Sequence, residues 1–204
     1  MSETREKILQ TALRLFARDG YEAVSVSQLA GALGLTKGAL YRHFKSKRDI
    51  FDQILLHMET QDAQRAAQFS LPAGALAGNE AEYRSASVAQ VIAFSRAQLR
   101  YWLEDEFAAP FRRLLSLEQY RSEEMRALHA NYLVSGPLGY TEDLLASLGY
   151  DAPREKALAF YAPMFFLYSL YDAGEALPRV LALADEHFDR AARALIGDET
   201  ENGH

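Results

Sequence analysis

The stretch from Ser25 to Arg48, SVSQLAGALGLTKGALYRHFKSKR, leaves a chain like this few ways to fold. Ser25 with Gln28 three places on is a capping box, so a short helix starts at Val26 and carries Leu29, Ala30 and Leu33 inward. Gly34 stops it. Leu35 plugs the turn into the core, and Thr36 caps a second short helix holding Lys37, Gly38, Tyr41, Arg42 and His43, with Leu40 and Phe44 on its buried side. Ser46 offers a third cap before Lys47, Arg48 and Asp49, so the second helix is brief and a longer one begins at its end.

A short second helix held by a rigid partner suits the major groove of DNA, into which it can be pushed end-on. Gly38 removes a side chain where the helix meets the sugar-phosphate backbone. Lys37, Tyr41 and Lys47 reach toward phosphates, and Thr36, Arg42 and His43 toward base edges or phosphates. Ser25 and Ser27, at the start of the supporting helix, complete the expected DNA-binding set. Thr4 and Arg5, at the start of the first helix, either approach phosphate too or serve as a cap and a solvent-facing charge.

At this point the chain resembles the TetR family of one-component transcriptional regulators, also called TetR/AcrR. The signature is Thr36-Lys-Gly-Ala-Leu-Tyr-Arg-His-Phe44 followed by Lys45-Ser-Lys47, and the register extends back through Ile8, Ala12, Phe16, Gly20 and Tyr21 and forward to Phe51. The resemblance covers about the first quarter of the chain. It implies an all-α protein, with a three-helix helix-turn-helix DNA-binding domain at 1–46 and a larger helical ligand-binding and dimerisation domain at 47–204. It also implies a four-helix bundle between two subunits, built from the last two long helices, and a small-molecule inducer whose identity the resemblance does not supply.

Charge supports the same division. The formal net charge of −6 divides unevenly: residues 1–50 hold nine Lys and Arg against five acids, a net of +4, while the remainder holds thirteen against 23, a net of −10. An electropositive head on an acidic body is oriented toward a polyanion. Zero cysteines exclude disulfides and thiolate metal sites, and His43, His57, His129, His187 and His204 show no i, i+4 ligand spacing, so no metal or other cofactor is expected. No nucleophile motif or phosphate loop points to an enzyme. The absence of an apolar signal core and of any run of eighteen apolar residues points to a cytoplasmic protein that does not enter the membrane.

Periodicity predicts helices over about Thr4–Arg18, Lys47–Phe69, Ser87–Glu104, Asp105–Tyr120 (with Pro110 moving the true start toward Ala109), Ser122–Leu133, Thr141–Leu148, Pro153–Ala173 and Glu175–Ile196. The helix from Lys47 reads as a connector between head and body. Ser70–Asn79 is a loop, Gly136–Gly139 a break, and Gly197–His204 a polar, frayed tail. The helix around Phe160 to Tyr171 is apolar on nearly all sides, with Pro163 expected to kink it, and its neighbour is amphipathic. This pair is expected to bury a face against a second copy, through Phe160, Tyr168, Val180, Ala184, Phe188 and Ala191. Two heads on one two-fold body would read an inverted repeat, with recognition helices about 34 Å apart or a multiple of that.

Fifteen of the 23 aromatic residues fall between Phe94 and Tyr171. Core packing accounts for most such residues. The functional reading is an apolar cavity walled by Phe94, Trp102, Phe111, Tyr120, Tyr132 and Phe165, with Glu118, Asp172 or Glu142 supplying a negative charge for a cationic aromatic ligand. The expected function is a homodimeric repressor released from its operator by a small molecule. Its rivals are an activator, an enzyme housed in the helical body, and a DNA-binding scaffold with no ligand.

Overall fold

The computed structural model describes residues 3–73 and 76–202. Helix is the only regular structure among them. α1 (Glu3–Asp19) repeats Ile8, Leu9, Ala12, Leu13 and Phe16 at helical spacing, and all five are buried. α2 (Val26–Ala32) and α3 (Lys37–Tyr41) follow, then α4 (Lys47–Gln68), started by Ser46, whose hydroxyl accepts the Asp49 N–H at 3.0 Å. Gly74 and Ala75 of the expected loop lie outside the described residues.

A short helix, α5 (Glu80–Ser85), stands where sequence periodicity points to none. Six residues are too few to show a period. α6 (Val88–Glu104) opens with a second capping box: the Gln90 N–H reaches the Ser87 hydroxyl at 3.3 Å, and the Ser87 N–H reaches the Gln90 side chain at 2.8 Å. α7 (Ala108–Glu118) starts after Asp105, whose carboxylate accepts the N–H groups of Phe107 and Ala108, and Pro110 sits in its first turn, where a missing donor is harmless.

α8 (Glu123–Leu133) and α9 (Ser135–Ser147) meet at Val134. The break was expected at Gly136–Gly139; it falls earlier because Gly136 and Pro137 fit the first turn of α9. α10 (Pro153–Asp172) carries Pro163 inside it without ending, and α11 (Leu177–Asn202) runs past Ile196 through most of the expected tail. Gly203 and His204 lie outside the described residues.

Packing divides the chain into two compact units. One holds the chain up to Gln61 together with Glu104–His129; the other holds Asp62–Leu103 and the chain from Ala130 onward. In the first, α1 packs along α7, so Ile8, Leu13 and Phe16 share a core with Phe107, Phe111, Leu114 and Leu115. Each such Leu or Phe contributes about 1.5–3 kcal/mol when fully buried. In the second, α10 packs on α9 and α11, and α5 on α9. Polar ties hold that packing: the Tyr161 hydroxyl donates to Leu133 O at 2.8 Å, the Tyr150 hydroxyl donates to Leu195 O at 2.9 Å, and Arg96 pairs with Asp185 and Asp189. Among the described residues no buried side-chain N or O lacks a partner.

Candidate nucleic-acid interface

The two short helices are built as the local signals dictate. Ser25 and Gln28 bond reciprocally, the Ser25 hydroxyl accepting the Gln28 N–H at 3.3 Å and the Gln28 side chain accepting the Ser25 N–H at 2.7 Å. Gly34 takes the left-handed conformation (φ 66°) that a tight helix-to-helix turn needs, and the Leu35 N–H then closes on Ala30 O at 2.8 Å. Thr36 accepts the Ala39 N–H at 3.1 Å. Leu40 and Phe44 are buried, which turns the opposite face of α3 outward.

That face carries Lys37, Gly38 and Tyr41, and the other expected DNA-binding residues lie on the flanking turns and the starts of α2 and α4. Ser25, Ser27, Thr36, Lys37, Gly38, Tyr41 and Arg42 are exposed, and His43 is half-buried. A methyl group added at Gly38 would meet nothing within 4 Å, so the backbone itself is open to approach there. Lys47 differs from its neighbours. Its ammonium donates to Tyr21 O at 2.8 Å, lies 3.5 Å from the Glu22 carboxylate and sits 4.3 Å from the Tyr21 ring centre, so it points into the protein.

Three side chains brace this unit in roles the sequence did not suggest: Glu118 was expected at a ligand pocket and Arg5 at phosphate or solvent. The Glu118 carboxylate of α7 accepts the Tyr21 N–H at 3.1 Å and pairs with Arg121 at 3.5 Å. Arg48 makes a two-pronged pair with Glu124 at 2.9 and 2.6 Å and also binds Asp52, which together raise its pKa. Arg5 donates to the His43 carbonyl and lies 4.3 Å from the Phe44 ring centre. No local motif announces the ties of Arg5 to His43, Glu118 to Tyr21 and Arg48 to Glu124, because each joins residues at least 38 positions apart.

The expected pocket residues are spread through the fold. Phe94, Trp102 and Tyr132 lie in the second unit, where Phe94 meets Phe69 at 5.7 Å and Tyr140 at 6.4 Å, and Trp102 meets Tyr132 at 6.3 Å. Phe111 belongs to the core of the first unit, and Glu118 is committed to Tyr21. Tyr120 is 88% exposed, so it walls no cavity in this chain. Phe165 and Asp172 lie on the exposed side of α10. The second unit holds a polar cluster that was not expected: Arg65 donates to Gln98 and to Ala97 O, each at 2.9 Å, and stacks 4.0 Å over Tyr101. Beside it the Asp62 carboxyl, bonded to Gln98 at 3.3 Å, is pushed up to about 6 by burial.

The residues expected to meet a second copy also fall differently. Phe160, Tyr168, Val180, Ala184 and Phe188 are buried within the chain's own α10–α11 packing, and Ala191 is half-buried. A helix apolar on nearly all sides does not disclose which side meets its own subunit. Outward on the same two helices stand Leu158, Phe165, Phe166, Leu183 and Ile196, beside a groove of about 260 Å³ lined by Lys156, Ala159, Phe160, His187, Arg190 and Ala191. Among the described residues no cluster of His, Asp and Glu could hold a metal ion, and no helix is long and apolar enough to cross a membrane.

Residues 8–54 match the family described as bacterial regulatory proteins, tetR family. The HTH-type transcriptional regulator AcrR of Shigella flexneri is 50% identical over 52 residues, 26% of this chain and 24% of that protein. The HTH-type transcriptional repressor AcnR of Corynebacterium diphtheriae is 37% identical over 68 residues, 33% of this chain and 34% of that protein. The matched segment thus spans only a quarter to a third of these relatives. Over nearly the whole chain the fold is similar to SmeT, the repressor of the Stenotrophomonas maltophilia multidrug efflux pump SmeDEF. That structure has a TM-score of 0.62 at 20% identity, covering 95% of this chain and 90% of that one. The SmeT–triclosan complex has a TM-score of 0.66 at 17% identity, covering 95% and 91%.

Proposed function

By its N-terminal domain this chain belongs to the tetR family of bacterial regulatory proteins, and from that premise we propose that it is a homodimeric transcriptional repressor, cytoplasmic and without catalytic activity, released from an inverted-repeat operator by a small molecule. The observation that carries the reading is the exposed face of α3. Lys37, Gly38, Tyr41 and Arg42 stand outward on a helix capped at Thr36 and anchored by Leu40 and Phe44, which is the arrangement a groove-reading helix requires. In this reading residues 1–46 bind DNA, residues 47–204 sense and dimerise, and the repressors AcnR and SmeT among the similar proteins favour repression over activation.

Dimerisation is assigned to the outward apolar residues of α10 and α11, Leu158, Phe165, Phe166 and Leu183, whose exposure in a single chain is otherwise costly. The effector is assigned to the aromatic interior of the second unit, around Phe94, Trp102 and Tyr132. The SmeT complex makes triclosan, an apolar aromatic, the first probe to try. A coupling of about 1–3 kcal/mol between effector and DNA changes affinity roughly 5–150-fold, enough for a switch.

Selection of binding sites from a random duplex pool tests the reading. An enriched inverted repeat, released by an added effector, supports it. Enrichment of a single half-site overturns the dimeric mode, and enrichment without release by any aromatic probe favours a scaffold that senses no ligand.

A further inference from the structure

We propose that Arg5 is a positioning residue for DNA reading, which sets the angle of α3 by binding its C-terminal end. The inference rests on the DNA-reading function above. A five-residue helix has too few internal hydrogen bonds to hold its own geometry, so its two ends must be fixed from outside. Thr36 fixes the first end. At the second, the N–H groups of His43 and Phe44 both return to Leu40 O, and the His43 carbonyl points out of the helix as an acceptor without an intrahelical donor.

Arg5 supplies that donor. Its guanidinium, on the first turn of α1, bonds to the His43 carbonyl just past the C-terminal end of α3, where a cation also complements the negative end of that helix's dipole. The same guanidinium lies 4.3 Å from the centre of the Phe44 ring, and Phe44 is 1% exposed, so the donor plane rests on a fixed surface. A planar fork can lay its face on the ring while its edge donates; an ammonium, a point charge without a plane, fixes no such orientation. Arg5 therefore joins α1 to the residue that follows the outward-facing Tyr41 and Arg42. A guanidinium committed here is turned away from the phosphate role that its place at the start of α1 suggests.

The test compares the full-length chain with Arg5→Met, which keeps the stem but removes the donors, and Arg5→Lys, which keeps the charge. Affinities are measured for the selected operator and for random duplex across a range of salt. A positioning role predicts that Arg5→Met lowers the ratio of operator to random affinity by roughly 10-fold, with the salt slope unchanged, and that Arg5→Lys recovers only part of the ratio. A parallel loss on both duplexes, a slope reduced by about one and full rescue by Lys would mean a phosphate contact and overturn the proposal. An unchanged ratio and slope in both variants would overturn it as well. A parent chain that prefers no sequence would sink the DNA-reading function itself, whatever Arg5 does. Arg5→Lys, which keeps a donor and the charge, carries the comparison if Arg5→Met unfolds.

Discussion

The buried carboxylate of Glu118 accepts the backbone N–H of Tyr21 at 3.1 Å, tying the end of α7 to the turn that leads into α2. Gly20 makes the approach possible. A Cβ there would stand 2.8 Å from the same carboxylate oxygen, on a backbone held at φ 91°. Glu118→Ala should cost about 1–3 kcal/mol, because the Tyr21 N–H is left buried without a partner. Gly20→Ala should cost at least about 1 kcal/mol from the left-handed backbone alone. Urea unfolding of each variant and of the double variant checks both, and the double should fall short of the sum because the clash disappears with the carboxylate.

Lys47 occupies the position where a phosphate contact was expected, yet its ammonium is held by Tyr21 O and Glu22. Lys47→Ala should therefore lower stability by about 1 kcal/mol and weaken all duplexes in parallel, through a loosened turn. The salt slope of DNA binding should hardly change. A slope reduced by about one would show that the ammonium swings out to phosphate on binding.

Burial raises the Asp62 carboxyl to about 6, above its unfolded value, so the folded chain holds that proton more tightly than the unfolded chain. The associated stability is fully present below the unfolded pKa, near 4, and is lost as pH rises through about 6. Asp62→Asn should be more stable than the parent at pH 7, and the difference between the two should shrink as pH falls toward 4. Chemical unfolding at a series of pH values checks this; a difference that does not vary with pH would remove Asp62 as its source.

Exposed and buried phenylalanines on α10 and α11 should separate assembly from folding. Phe166 is 63% exposed, so Phe166→Glu should leave the subunit folded but shift light scattering from dimer to monomer and abolish tight operator binding. Phe188 is fully buried, and Phe188→Ala should cost about 3–5 kcal/mol of folding stability.

What could be read from the sequence was whatever is local. The caps at Ser25, Thr36 and Ser46 and the stripe on α1 are each signalled within a few residues, and each stands in the structure as expected. Burial within α10 was illegible, because a helix apolar on most sides gives no contrast between Phe160, inside, and Phe166, outside. The inward turn of Lys47 and the pairing of Arg48 with Glu124 depend on which segment arrives beside them, and those partners lie 26 and 76 positions away. Tyr120 misled for a related reason: a lone aromatic at a helix end carries no sign of whether anything covers it.

The helix-turn-helix shares its compact unit with Glu104–His129, and Phe111, Leu114 and Leu115 complete the core that α1 begins. On the ribosome, then, this head is synthesised first but finished late: α1 has no α7 to close upon until more than a hundred residues have been made. A hybrid regulator assembled by cutting after residue 46 would strip the head of that covering and leave Phe16 and its neighbours to find another. A transplant that carries Glu104–His129 along with the first 61 residues keeps the core whole.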